Sequence, residues 1–218
     1  MAVLPYSAVI NSGSPSSILS SFYRQILSDI GMKKGFFESK LDRYVGQLVI
    51  QKEIELDKVN SRRGNLFNEL MSDKMTWEVF NKGLHLLGVR EFTFYVVSLG
   101  TPNETVGKVT VDLQKPDGGR TALADLLSDI KHQMDLDPMV HSRLMSEYLK
   151  RLGNGVTSDL AQRRGSFNKE LKAPVISWSV FMKALDMLKI WHFYIVINVS
   201  FAGIKKSAHA RQISLSDE

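Results

Sequence analysis

The chain has 218 residues, enough for one large domain or two small ones. With no cysteine, disulfides, thiolate metal sites and cysteine nucleophiles are excluded, and no apolar run approaches the roughly 18 residues of a membrane span. A formal charge of +5 favours polyanionic partners, and the mildly apolar residues 1–10 have no basic region before them, so they make a poor secretory signal.

Residues 12–17, rich in serine with one glycine and one proline, read as a lead in which Ser16 or Ser17 caps a helix. Ile18, Phe22, Ile26 and Ile30 follow at helical spacing, and Gly31 is a stop. A second helix is expected over about 35–45, with Phe37, Leu41 and Tyr44 on one side. Arg62-Arg63-Gly64 stands just before a short helix that Asn65 or the preceding serine opens. Thr76 then caps a helix whose apolar stripe is Trp77, Phe80, Leu84 and Leu87. After it the period changes from helical to two: Phe92, Phe94 and Val96 alternate, a polar turn follows at 101–104, and a second strand is expected over 108–113. Residues 114–120 are a breaker. In the second part Ser177 caps, Trp178, Phe181, Leu185 and Leu188 form the stripe, Phe193, Ile195, Ile197 and Val199 alternate, and a last strand is expected near 208–215.

These parallels come from an internal repeat. Arg62-Arg63-Gly64 recurs 101 positions on as Arg163-Arg164-Gly165, and without a gap Glu69-Leu70, Trp77, Phe80 and Lys82 fall on Glu170-Leu171, Trp178, Phe181 and Lys183. Upstream, Leu27-Ser28-Asp29-Ile30 recurs as Leu127-Ser128-Asp129-Ile130, a spacing of 100. The predicted architecture is α+β, a tandem duplication of a helical unit ending in a β-hairpin, winged-helix-like in its order. A lead (1–15) precedes one unit (16–113), and a linker (114–120) joins it to the second (121–215).

Paired arginines next to a glycine at a helix start are suited to gripping phosphate, because guanidinium donates bidentately and helix N-terminal amides add to it. Arg62, Arg63, Arg163 and Arg164 are therefore candidate nucleic-acid contacts, with the alternative that they are solvated or paired to carboxylates. Lys172 belongs with them, a cation where the first copy has Met71. Lys82 and Lys183 lie off the apolar stripe, free to face a ligand or simply solvated. Lys150 and Arg151 form a basic helix end that the helix dipole alone also favours. Lys205, Lys206 and Arg211 lie along the last hairpin, where lysines equally guard an edge strand. Trp77 and Trp178 are suited to stacking bases, but their place on the stripe assigns them to the core. No catalytic constellation, metal motif or cofactor motif is found: the five histidines make no i, i+4 pair, and His85 and His192 fall opposite Asp186 and Glu91 in the other copy. Glu69 and Glu170 read as capping carboxylates.

Arg-Gly-Asn-Leu-x-x-Glu-Leu at 63–70 followed by Thr-Trp-x-Val-Phe-x-Lys-Gly-Leu at 76–84 resembles a motif of small proteins of tailed bacteriophages. The likeness covers about a third of the chain, and the second copy departs from it at Ser166 and Ala184. A narrower resemblance, to the RNA-binding family associated with the nucleus-like shell of jumbo phages (chimallin C), rests on no residue beyond these. It implies binding of phage messenger RNA in the cytoplasm of the infected bacterium. The expectation is thus a non-enzymatic, sequence-tolerant binder of RNA or single-stranded DNA. The alternative is a protein-interaction or scaffold factor that binds another protein or associates with itself, and neither reading involves a membrane.

Overall fold

A computed structural model describes residues 2–10, 15–98, 105–115, 117–153, 159–190 and 193–201, the side chains of 2–10, 15–16, 98, 105 and 193–201 excepted. Its elements are β1 (Ala2–Ile10), α1 (Pro15–Asp29), α2 (Lys34–Ile50), α3 (Val59–Met71), α4 (Trp77–Leu86), β2 (Val89–Ser98), β3 (Thr105–Asp112), α5 (Ala122–Gln133), α6 (Pro138–Leu152), α7 (Leu160–Leu171), α8 (Trp178–Met187) and β4 (Phe193–Phe201), with a 3-10 turn at Leu56–Lys58. The chain is α+β, and each half of it, β1 to β2 and β3 to β4, runs strand, four helices, strand.

The four strands make one antiparallel sheet in the order β1-β4-β2-β3. β2 and β3 form the expected hairpin. β4 pairs with β2 on one side and β1 on the other, so the strand the sequence did not predict, β1, supplies the neighbour expected from 208–215. That expected strand lies outside the described residues. The register is centred on Tyr95 opposite Val196, two positions 101 apart. The outer ladders obey the same spacing: Tyr6 pairs with Ile197 as Gly107 pairs with Val96.

The caps and stripes of α4 and α8 form as their residues dictate. Thr76 Oγ1 accepts from Val79 N and Ser177 Oγ accepts from Val180 N, each at 3.2 Å. Below the caps, Trp77, Phe80, Leu84 and Leu87 are buried, and so are Trp178, Phe181, Leu185 and Leu188. The two tryptophans meet in the middle of a single core drawn from both halves, stacked with centroids 6.2 Å apart and planes 7° apart. Phe94, inward-facing on β2, stands edge-on to both, at 5.6 and 6.1 Å. Such aromatic contacts add about 0.5–1.5 kcal/mol each beyond the area they bury.

Three expectations change. The second helix runs on to Ile50, because Leu48 continues the buried face of Phe37, Leu41 and Val45. The upstream match is displaced by one helical turn. Gly31 and Asp135, both at positive φ, close α1 and α5 with the same bonds, Met32 N to Leu27 O and Leu136 N to Lys131 O. That equates positions 104 apart and puts Leu19, Phe22, Tyr23 and Ile26 opposite Leu123, Leu126, Leu127 and Ile130, all of them buried. Thirdly, Arg62-Arg63 and Arg163-Arg164 do not precede a helix. α3 starts at Val59 and α7 at Leu160, so both pairs sit in the second turn, where the backbone amides bond within the helix.

Candidate nucleic-acid interface

The arginine pairs project from α3 and α7, and the two halves treat them differently. In the first half Arg63 is ion-paired with Asp42 of α2. Arg62 lines a cleft of about 490 Å³ with Glu69, Lys74, Glu78 and Lys82, where two carboxylates offset part of the three cations' charge. Lys82 Nζ donates to Glu78 at 2.7 Å, and that bond holds Glu78 below the ordinary carboxylate range. Neither Arg63 nor Lys82 is therefore an unoccupied phosphate donor.

In the second half the surroundings are cationic. A pocket of about 590 Å³ lies between α5, α6 and α7, lined by Lys131, His141, Ser142, Arg164, Asn168 and Lys172 among others, none of them a carboxylate. Arg164 Nη2 donates to Ser142 Oγ at 2.7 Å, which orients the guanidinium without neutralising it. Among the described residues no carboxylate forms an ion pair with Lys131, Arg164 or Lys172. Burial, and then the charge of Lys172, holds the Lys131 amine below the ordinary lysine range. Burial, then Lys131 and Lys172, holds His141 below the ordinary imidazole range, and its Nε2 is buried without a partner. Like charges gathered in a concavity are unfavourable unless an anion joins them.

Residue by residue, the first half fills the corresponding positions with other side chains. α2 and α6 correspond at a spacing of 104, Lys34 with Pro138 at the first turn, so Phe37 stands where α6 has His141. Phe67, 101 positions before, stands where α7 has Asn168. The Phe37 and Phe67 rings pack at 6.2 Å and fill the space. Met71 replaces Lys172.

The remaining candidates do not gather at this pocket. Arg163 is half-buried in α7 beside Arg164. Arg151 pairs with Asp186 at 2.7 Å and lies 5.5 Å from the Tyr148 ring centre. Lys150 and Lys183 are exposed on α6 and α8. Lys205, Lys206 and Arg211 lie outside the described residues. Trp77 and Trp178 are buried and offer no face to a base. Sequence reasoning missed Lys131 and His141. Their signal was present, since a helix end with Lys131-His132 faces a second helix start at Pro138-Met-Val-His141, but it requires knowing that α5 and α6 converge on α7. Among the described residues no helix is long and apolar enough to cross a membrane, and no group of three His, Asp or Glu is placed to hold a metal ion. No family model, no curated protein and no solved structure matches the chain.

Proposed function

We propose that the protein binds RNA or single-stranded DNA through phosphate, using Lys131, Arg164 and Lys172 of the second half, without reading base sequence. The observation that carries this is the pocket itself: three cations, a histidine whose buried Nε2 has no partner, and no carboxylate. Two arginine pairs acting together are not part of the proposal, because Arg63 already has Asp42. The proposal includes a duplication history in which the unit is strand, four helices, strand rather than helix and hairpin in winged-helix order. The common 101-residue spacing across caps, stripes and strand register supports it. Phage transcripts in an infected bacterium are the proposed setting on the strength of the motif likeness alone.

The test is binding of labelled single-stranded RNA, single-stranded DNA and duplex by nuclease-treated protein over a salt series. Neutralising one to three phosphates predicts a slope of log affinity on log salt between about −0.7 and about −2 for single strands. Arg164→Ala and Lys172→Ala should each weaken binding about tenfold or more, the loss of one charge-assisted hydrogen bond. Absence of binding to all three nucleic acids sinks the proposal.

A second reading, a protein-interaction surface, draws on apolar side chains exposed around the α5–α6 turn, Met134, Met139 and Val140. A stable oligomer by sedimentation without nucleic acid, disrupted by Met139→Glu, favours that reading.

A further inference from the structure

The shape and charge of the pocket narrow its ligand. Resting on the phosphate reading above, we infer that the pocket takes the phosphate monoester at the end of a strand in preference to the phosphodiesters within it. An internal phosphate carries one charge on two free oxygens and is tethered on both sides. To enter a concavity between three helices it must bring a bent strand with it. A terminal phosphate enters alone, carries about −1.5 to −2 charges at neutral pH and presents three acceptor oxygens.

Lys131, Arg164 and Lys172 offer three positive charges to that one group, from the end of α5, the second turn of α7 and its C-terminus. With a single negative charge bound, two of the three stay uncompensated. With a dianion only one does. The Ser142 hydroxyl and the Asn168 amide line the same walls, and about 590 Å³ holds a terminal nucleotide as well as its phosphate. Gly165 faces the same space, with nothing within 4 Å of where a Cβ would stand, so the α7 wall leaves open the room that a side chain would take. In the first half Phe37, Phe67, Met71 and the Arg63–Asp42 pair stand at the corresponding positions, so the cluster is particular to one half and not a by-product of the fold.

The experiment uses the full chain and one oligonucleotide sequence in three forms, with a 5′-phosphate, with a 3′-phosphate and with hydroxyls at both ends. Phosphorylated ends are expected to bind about tenfold tighter. A nucleoside monophosphate should compete at lower concentration than the nucleoside, and inorganic phosphate should compete weakly. Lys172→Met, which installs the residue of the first half, and Arg164→Gln should erase the preference, while Lys150→Ala keeps it. In the intact protein, adding nucleoside monophosphate should move the His141 ring titration to higher pH by NMR, a readout that also verifies folding of the variants. Equal binding of all three forms, lost in Lys172→Met, overturns the end preference and leaves the phosphate interface standing. Equal binding by wild type and both variants overturns the pocket as the site, and no binding at all overturns both.

Discussion

At the scale of residues, small differences between the halves explain one another. A Cβ at Gly83 would stand 2.6 Å from the Tyr23 ring and 2.8 Å from Leu70. The second half has Ala184 there, fully buried, and α5, which packs on α8 as α1 packs on α4, carries Leu127 in place of Tyr23. Gly83→Ala should therefore cost about 1–3 kcal/mol by urea denaturation, the range for an overpacked core. The Tyr23 hydroxyl is buried without a partner, and burial raises its pKa far above the tyrosine range. Tyr23→Phe removes that group and should stabilise by about 1 kcal/mol. His141 yields a prediction in pH. Its folded-state pKa is depressed by burial and by Lys131 and Lys172, with Arg164 lining the same pocket. The unfolded chain thus binds the proton more readily, and stability present above about pH 6.5 is lost as the pH falls from there toward the folded value. Thermal melts from pH 7.5 to 5.5 in a buffer free of polyanions should show a decline that His141→Phe flattens. Phosphate in the buffer should offset it in the wild type only. Gly165→Ala should stabilise α7 by about 1 kcal/mol in the same urea denaturation, because a Cβ there meets nothing within 4 Å and alanine is the better helix former.

Among the elements, those specified locally were legible and those specified by distant partners were not. Thr76 and Ser177 announce α4 and α8, and replacing either with alanine should cost about 1 kcal/mol in the same denaturation assay. The tryptophan stripes and the switch of period at Phe92 followed from adjacent residues, and the 101-residue spacing from setting one segment beside the other. The Leu-Ser-Asp-Ile match misled because a slip of four positions is nearly one helical turn, which returns apolar residues to the same face. β1 went unread because Pro5 and two small residues interrupt its pattern, and its place is fixed by β4 at the other end of the chain. The site was half legible for a related reason. Arg164 declared itself by the recurring Arg-Arg-Gly triplet and Lys172 by its contrast with Met71, whereas Lys131 and His141 acquire meaning only where three helices converge. Nothing in the sequence reveals that Asp42 occupies Arg63 while the corresponding residue of α6, Ser146, leaves Arg164 without a carboxylate.

For the whole molecule, the strand order β1-β4-β2-β3 has a strict consequence: among the described strands every ladder joins one half to the other, and neither half contributes two neighbours. The stacked tryptophans tie the same two halves through the core. Residues 1–103 and 104–218 produced separately should each lack a cooperative melt by circular dichroism as monomers, and equimolar mixing should restore one. A half that melts cooperatively as a monomer contradicts the interleaved sheet. The outer edge of β3 is shielded by α5, whose Asp129 carboxylate accepts from Lys108 N at 2.8 Å and so occupies a donor that a further strand would use. The β1–β4 ladder, which brings Ala2 beside Phe201, also sets an order of events during synthesis. Synthesis delivers β1 before the eight helices and its described neighbour β4 after them, so the growing chain carries β1 unmatched until residues 193–201 have been made. The entropy of closing so long a loop grows only slowly with its length, so the burden falls on the rate of folding and on exposure to aggregation, not on final stability. A message cut short before residue 193 would leave β2 and β3 as the only described strands still paired, and its product would be a substrate for proteolysis instead of a shortened version of the same protein.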